Sequence, residues 1–231
     1  MSSQSNPPIL NAPNAVRWIV GIAIVIHLVR FLMPEALSDQ MLEAFAFIPA
    51  RYTTPTSGPG DLFSMVVSPI SHLFLHADWM HVLINMAFLL AFGSAVGRRM
   101  GALQFVILYG ICGIVACFFW DFLNPGSQAV LLGASGAISG MVGAAARVSI
   151  WPPHHSGSAL PFWRTSTIIT FVVIWLVLNV VFGIFPVMMT DDYAGVAWEA
   201  HLGGFIAGFL LIGLFDGRGR IEPAAPSPRY H

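Results

Sequence analysis

A serine set between glycines, Gly133-Ala134-Ser135-Gly136, stands at the start of an apolar run, 130–148, long enough to cross a bilayer. Two apolar runs further on, His201 opens another in Glu199-Ala200-His201-Leu202-Gly203-Gly204. A serine hydroxyl is a poor nucleophile until a base takes its proton, and a neutral imidazole is such a base near pH 7. A nucleophile and a base at one depth in a membrane point to hydrolysis of a peptide bond inside the bilayer. Upstream, the i,i+4 spacing in His81-Val82-Leu83-Ile84-Asn85 stacks two polar side chains on one helix face. Two donors there suit an oxyanion hole for the tetrahedral intermediate of acyl transfer, where one donor contributes about 3 kcal/mol.

Each group also has a plainer reading. A serine in a membrane helix is usually satisfied by its own backbone, and a histidine at a helix end serves equally as an interfacial anchor. The His81/Asn85 pair would also serve as a hydrogen-bonded link between helices. His72 and His76 share helical i,i+4 spacing, but the residues between them lack the glutamate that a zinc protease needs as its base. No metal and no organic cofactor are expected. His154 and His155, in Pro-rich sequence on the opposite side of the membrane, are too far away to join the group.

The elements that must position these residues are legible in composition. Of 231 residues, 56% are hydrophobic and 9% charged, against roughly 25% charged in soluble domains. A net charge of −1 gives no footing for nucleic acid. Spanning helices need roughly 17–25 mostly apolar residues, and six runs qualify: 15–33, 79–96, 102–122, 130–148, 166–189 and 196–215. The first lacks a basic stretch before its apolar core and a small-residue cleavage site after Met33, so it is read as a retained helix. Cys112 and Cys117, five apart in one run, face different sides of a helix and are not expected to pair.

Arginine, the only basic residue type apart from histidine, sets the orientation. With the amino terminus inside, Arg17, Arg98, Arg99, Arg147, Arg164, Arg218, Arg220 and Arg229 fall on the inner side, and Arg30 and Arg51 on the outer. The expected architecture is an all-α membrane protein of six transmembrane helices with both termini cytoplasmic. The second, fourth and sixth spans then run from outside to inside. His81, Asn85, Ser135 and His201 each sit in the first turns of one of them, converging just below the outer surface.

The membrane domain is expected over 15–215, flanked by a flexible cytoplasmic leader, 1–14, and a disordered Pro-rich tail, 216–231. The connection from Pro34 to Asp78 is long for a protein of this size. With Leu42, Phe45, Phe47 and Ile48 beside Glu43 and Arg51, it reads as an interfacial segment with its apolar side in lipid, or as a plain external loop. Gly136, Gly140 and Gly143, like Gly204 and Gly208, are small-residue packing positions. If the two sets meet, Ser135 and His201 come within reach of a shared hydrogen bond.

Together these residues resemble the rhomboid family of intramembrane serine proteases, and the resemblance covers all six spans. The family pairs a Gly-x-Ser-Gly motif on its fourth helix with an Ala-His motif and trailing glycines on its sixth. It adds His-x-x-x-Asn on its second. Gly133 to Gly136, Ala200-His201 with Gly204 and Gly208, and His81 with Asn85 match in order and spacing, and His76 before His81 is also similar. The resemblance implies a six-helix rhomboid-like bundle with Ser135 as nucleophile and His201 as general base. It gives the oxyanion hole to His81, Asn85 and the Ser135 N–H.

Three positions depart from the family. The Trp-Arg pair of the first long loop is replaced by Phe63-Ser64-Met65, a glutamate near the inner end of the second span by Gly97, and an aromatic residue beside the catalytic histidine by Ser139. By resemblance the protein is an endopeptidase of a bacterial cytoplasmic membrane. It would cleave single-span transmembrane substrates near the outer face, with the lipid bilayer as its other partner. A rhomboid-like pseudoenzyme that binds helices without cutting is the alternative. A small transporter would need paired charges at mid-membrane, and spans two to six carry none.

Overall fold

In hydrocarbon a chain has no water to satisfy its N–H and C=O groups, so long apolar sequence closes its hydrogen bonds internally as helix. The computed structural model describes residues 12–53, 59–150, 162–189 and 197–215. Most of the expected leader, the tail 216–231, His154 and His155 lie outside the described residues. In chain order the elements are α1 (Asn14–Leu32), α2 (Glu35–Phe45), α3 (Ala50–Thr53) and α4 (Pro59–Ser71) with a 3-10 turn (His72–Phe74). Next come α5 (Trp79–Phe88), a π turn (Leu89–Gly93) and α6 (Ser94–Gly97), which form one continuous helical rod. The remainder are α7 (Ala102–Leu123), α8 (Ser135–Ile150), α9 (Phe162–Met189) and α10 (Trp198–Phe215).

Among the described residues, four helices are long and apolar enough to cross a membrane: Asn14–Leu32, Trp79–Gly97, Ala102–Leu123 and Trp198–Phe215. The expected fourth run, 130–148, is helical only from Ser135. Its 16 residues rise about 24 Å, short of the roughly 30 Å hydrocarbon core. The shortening has a local cause. Leu131 is tied to Phe47 in an antiparallel bridge, and Gly133 adopts φ +114°, a conformation open to glycine and strained for other residues. Ser135 therefore becomes the first residue of a helix.

The centre of the bundle is α7, α8 and α10. Apolar burial gives no drive between helices already in lipid, so close packing and small residues must hold them together. A Cβ on Gly136 would lie 2.6 Å from the Ala116 Cβ, and one on Gly140 would collide with Cys112. Side chains on Gly204 and Gly208 would run into the carbonyl oxygens of Gly136 and Gly140. The glycine sets of α8 and α10 thus meet backbone to backbone. Cys112 and Cys117 are buried free thiols.

The connection 34–78 is mostly helical where it is described, and it does more than rest on lipid. Leu62, Phe63, Val66 and Ile70 on α4 are exposed, while Phe47 is completely buried. It packs with Ala116, Cys117, Trp120 and Ala200 and stacks on Tyr52 at 4.9 Å. Of the two readings of this connection, interfacial segment or external loop, neither describes Phe47, which the bridge to Leu131 holds inside the protein. Arg51 pins the turn by donating to the carbonyls of Glu43 and Ala46, and Arg30 donates to the His76 carbonyl at 2.7 Å.

Candidate active site

The site is built at the amino-terminal ends of α5, α8 and α10. Asp78 caps α5 through Oδ1, which accepts the His81 N–H at 2.8 Å, the usual role of an aspartate at this position. This fixes the first turn of α5 and so the root of the His81 side chain. Asn85, 5% exposed, donates through Nδ2 to the His81 carbonyl at 2.9 Å. Its amide has a second N–H, which that bond does not use.

His81 has a defined tautomer. Its Nδ1 faces the Ala77 N–H at 3.4 Å, and a backbone N–H only donates, so Nδ1 is the accepting nitrogen. The proton of the neutral ring then sits on Nε2. That nitrogen points at Gly133, where an added Cβ would lie 2.7 Å from His81 Nε2 and 3.8 Å from Ser135 Oγ. The glycine is needed twice, for its φ and for the space that lets a donor approach the serine. Gly133 is itself held by its N–H to the His72 carbonyl at 3.0 Å, and His72 Nδ1 lies 2.8 Å from the Ser68 carbonyl. His76, in the link before α5, packs edge-on against His81 at 5.1 Å. Burial first, and then His81, push its pKa down to about 3, so it is uncharged near pH 7.

As first residue of α8, Ser135 presents a backbone N–H that the helix leaves unused. Ser139, one turn on, is 3% exposed and donates its hydroxyl to the Ser135 carbonyl at 2.7 Å. It is thus a satisfied helix serine, while Ser135 is half-buried. On α10, Ala200 lies against Gly136: a Cβ on that glycine would be 3.8 Å from the Ala200 carbonyl. Ser135 and His201 are the chain neighbours of this contact pair. No hydrogen bond joins their side chains among the described residues; catalytic hydrogen bonds are often long without substrate. His201 Nδ1 instead bonds Asn179 Oδ1, and Trp175 lies 6.5 Å from the His201 ring.

The structure thus brings His81 and Ser135 together at Gly133, with Asn85 one turn further along α5 and His201 on the helix end that adjoins Gly136. Asn179 and Trp175 are the neighbours that sequence reasoning missed. Both lie mid-helix in an apolar run, and their only signal is the rarity of asparagine in such surroundings.

Comparison with known proteins places the chain. A family model described as the rhomboid domain matches residues 64–217. RHOMBOID-like protein 1 of Arabidopsis thaliana is 27% identical over 221 residues, covering 84% of this chain and 52% of that protein. Rhomboid protease GluP of Bacillus subtilis is 32% identical over 143 residues, covering 61% of this chain and 24% of the relative. Putative rhomboid protease YdcA, also of Bacillus subtilis, is 28% identical over 142 residues, covering 62% and 63%. The chain spans about half of the first of these relatives, and less of the second.

Proposed function

The chain belongs to the rhomboid family, and from that premise we propose that it is an intramembrane serine endopeptidase with Ser135 and His201 as its catalytic dyad. One observation carries the reading: at Gly133 an N–H donor, His81 Nε2, and the Ser135 hydroxyl face the same small space. In the proposed reaction Ser135 Oγ attacks a substrate carbonyl while His201 takes its proton. The Ser135 N–H, His81 Nε2–H and the free Asn85 N–H hold the oxyanion. His201 then protonates the leaving amine, the acyl-enzyme forms, and water, activated by the same imidazole, releases it.

Substrates are single-span membrane proteins. A helix hides its carbonyls in hydrogen bonds, so cleavage requires local unwinding, which weak helix formers near the membrane surface make easier. The proposed setting is a bacterial cytoplasmic membrane, with both termini inside and the site near the outer face. A reporter fused after Arg218 should then be cytoplasmic, and one inserted near Asp191 exported.

The direct test is a fluorophosphonate probe, which labels a serine only when it is activated. Labelling is expected at Ser135 in the parent and in Ser139→Ala, and is lost in Ser135→Ala and His201→Ala. Because the base must be neutral, labelling should fade as pH falls through the pKa of the dyad histidine. An unlabelled parent, folded and inserted, would favour a helix-binding protein that does not cut.

A further inference from the structure

A dyad histidine must do two things that a lone imidazole does not do by itself: keep its proton on one nitrogen, and keep its ring turned toward the serine. Either nitrogen of a neutral ring can carry the hydrogen, and which one does is set by the partner of the other. In this protein the partner comes from α9. The Asn179 amide donates Nδ2 to the Trp175 carbonyl at 2.7 Å, which fixes the amide's orientation. Its oxygen is thereby turned to His201, where Oδ1 meets Nδ1. A carbonyl oxygen accepts and never donates, so Nδ1 carries the hydrogen and the lone pair is left on Nε2.

We propose that Asn179 is a positioning residue for His201, holding the tautomer and ring orientation that leave Nε2 free to take the Ser135 proton. The inference rests on the dyad proposed above and extends it to a third side chain, supplied by a different helix. Its surroundings agree with such a role. Trp175, one turn before Asn179 on α9, flanks the ring and stacks on Phe205 at 5.5 Å. An amide also suits the setting. It orients the imidazole and its dipole favours the imidazolium as that forms, without the cost of a permanent charge inside the bundle.

The experiment compares parent, Asn179→Ala and Asn179→Asp in proteoliposomes, reading the rate of fluorophosphonate labelling at Ser135 against pH, with thermal midpoint as a check on folding. Losing the partner releases the ring and its wrong tautomer, so Asn179→Ala should slow labelling on the order of a hundredfold at an unchanged midpoint. Asn179→Asp keeps an acceptor in the same place. It should recover most of the rate at high pH and move the acidic limb of the profile upward, because a carboxylate beside the ring favours its protonated form. His81, the titratable ring across the site that interacts with His201, and Glu199 on α10 are constant through the series, so a moved limb reports residue 179. An Asn179→Ala protein labelled at the parental rate with the parental profile would overturn the inference and leave the dyad standing. A parent that is not labelled would remove the dyad, and this inference with it. Should the alanine variant not fold, Asn179→Asp decides: an unmoved acidic limb rejects the role.

Discussion

Of the helices packed against α10, α8 and α9 are attached to it in different ways. On one side α8 meets it backbone to backbone, with Gly204 and Gly208 against the carbonyls of Gly136 and Gly140. On the other, α9 is held through side chains: Trp175 on Phe205, and Asn179 on His201. Much of its apolar surface, including Val173, Ile174, Val177 and Leu178, is exposed. The glycine seam fixes the distance between Ser135 and His201 by main-chain contact, which leaves no room for adjustment. The α9 contacts reach the histidine through side chains alone. Separation within the proposed dyad is thus set by main-chain contact, and its proposed tuning by side chains.

The sharpest way to break this contrast is to add bulk to the seam. Gly208→Val should prevent α8 and α10 from docking, because the clash is with main chain and no rotamer relieves it; even overpacking against side chains costs about 1–3 kcal/mol. Gly213→Val, on the same helix but with open space around its Cβ position, should shift the thermal midpoint little. Equal effects of the two would mean that the seam is not what holds the pair.

Gly133→Ala is the next largest. The added methyl would stand 2.7 Å from His81 Nε2 at a φ that alanine resists, while the helices on either side keep their packing. The expected outcome is inserted, monodisperse protein with cleavage of a single-span substrate nearly abolished. Parental activity would show that His81 does not work from where it stands.

His81→Ala and Asn85→Ala should each lower turnover about 10²–10³-fold with substrate affinity changed less, measured as kcat and KM on a single-span substrate in liposomes. If they lowered the thermal midpoint instead, the pair would be a link between helices. The smallest effect belongs to the aromatic contact between α9 and the π turn. Phe171, stacked on Phe92 at 5.5 Å, can be replaced by alanine at a cost of about 0.5–1.5 kcal/mol, with turnover changed less than in the oxyanion variants. A collapse of the fold in Phe171→Ala would place α9 on the rigid side of the comparison.

Much of this was open to reading along the chain. Long apolar runs announce their helices because hydropathy acts over one stretch of sequence, and all six expected runs contain a described helix. Gly136, Gly140, Gly204 and Gly208 could be paired in advance, since glycine at helical spacing in a membrane has few other uses. The start of α8 was misplaced by five residues because its limit is set from outside: Leu131 bonds Phe47 and Gly133 bonds the His72 carbonyl. Neither partner is visible in the hydropathy of 130–148.

What sequence by itself determined was the inventory: the helical segments, the glycine faces, and a serine, two histidines and an asparagine at helix starts. These follow from residue type and short-range period, which are properties of one segment at a time. Only tertiary structure decided which nitrogen of His81 holds the hydrogen, why Gly133 must lack a side chain, and that Asn179 faces His201. Those outcomes depend on atoms far apart in the chain brought within a few ångströms, where direction and distance, rather than residue type, select the hydrogen bond that forms.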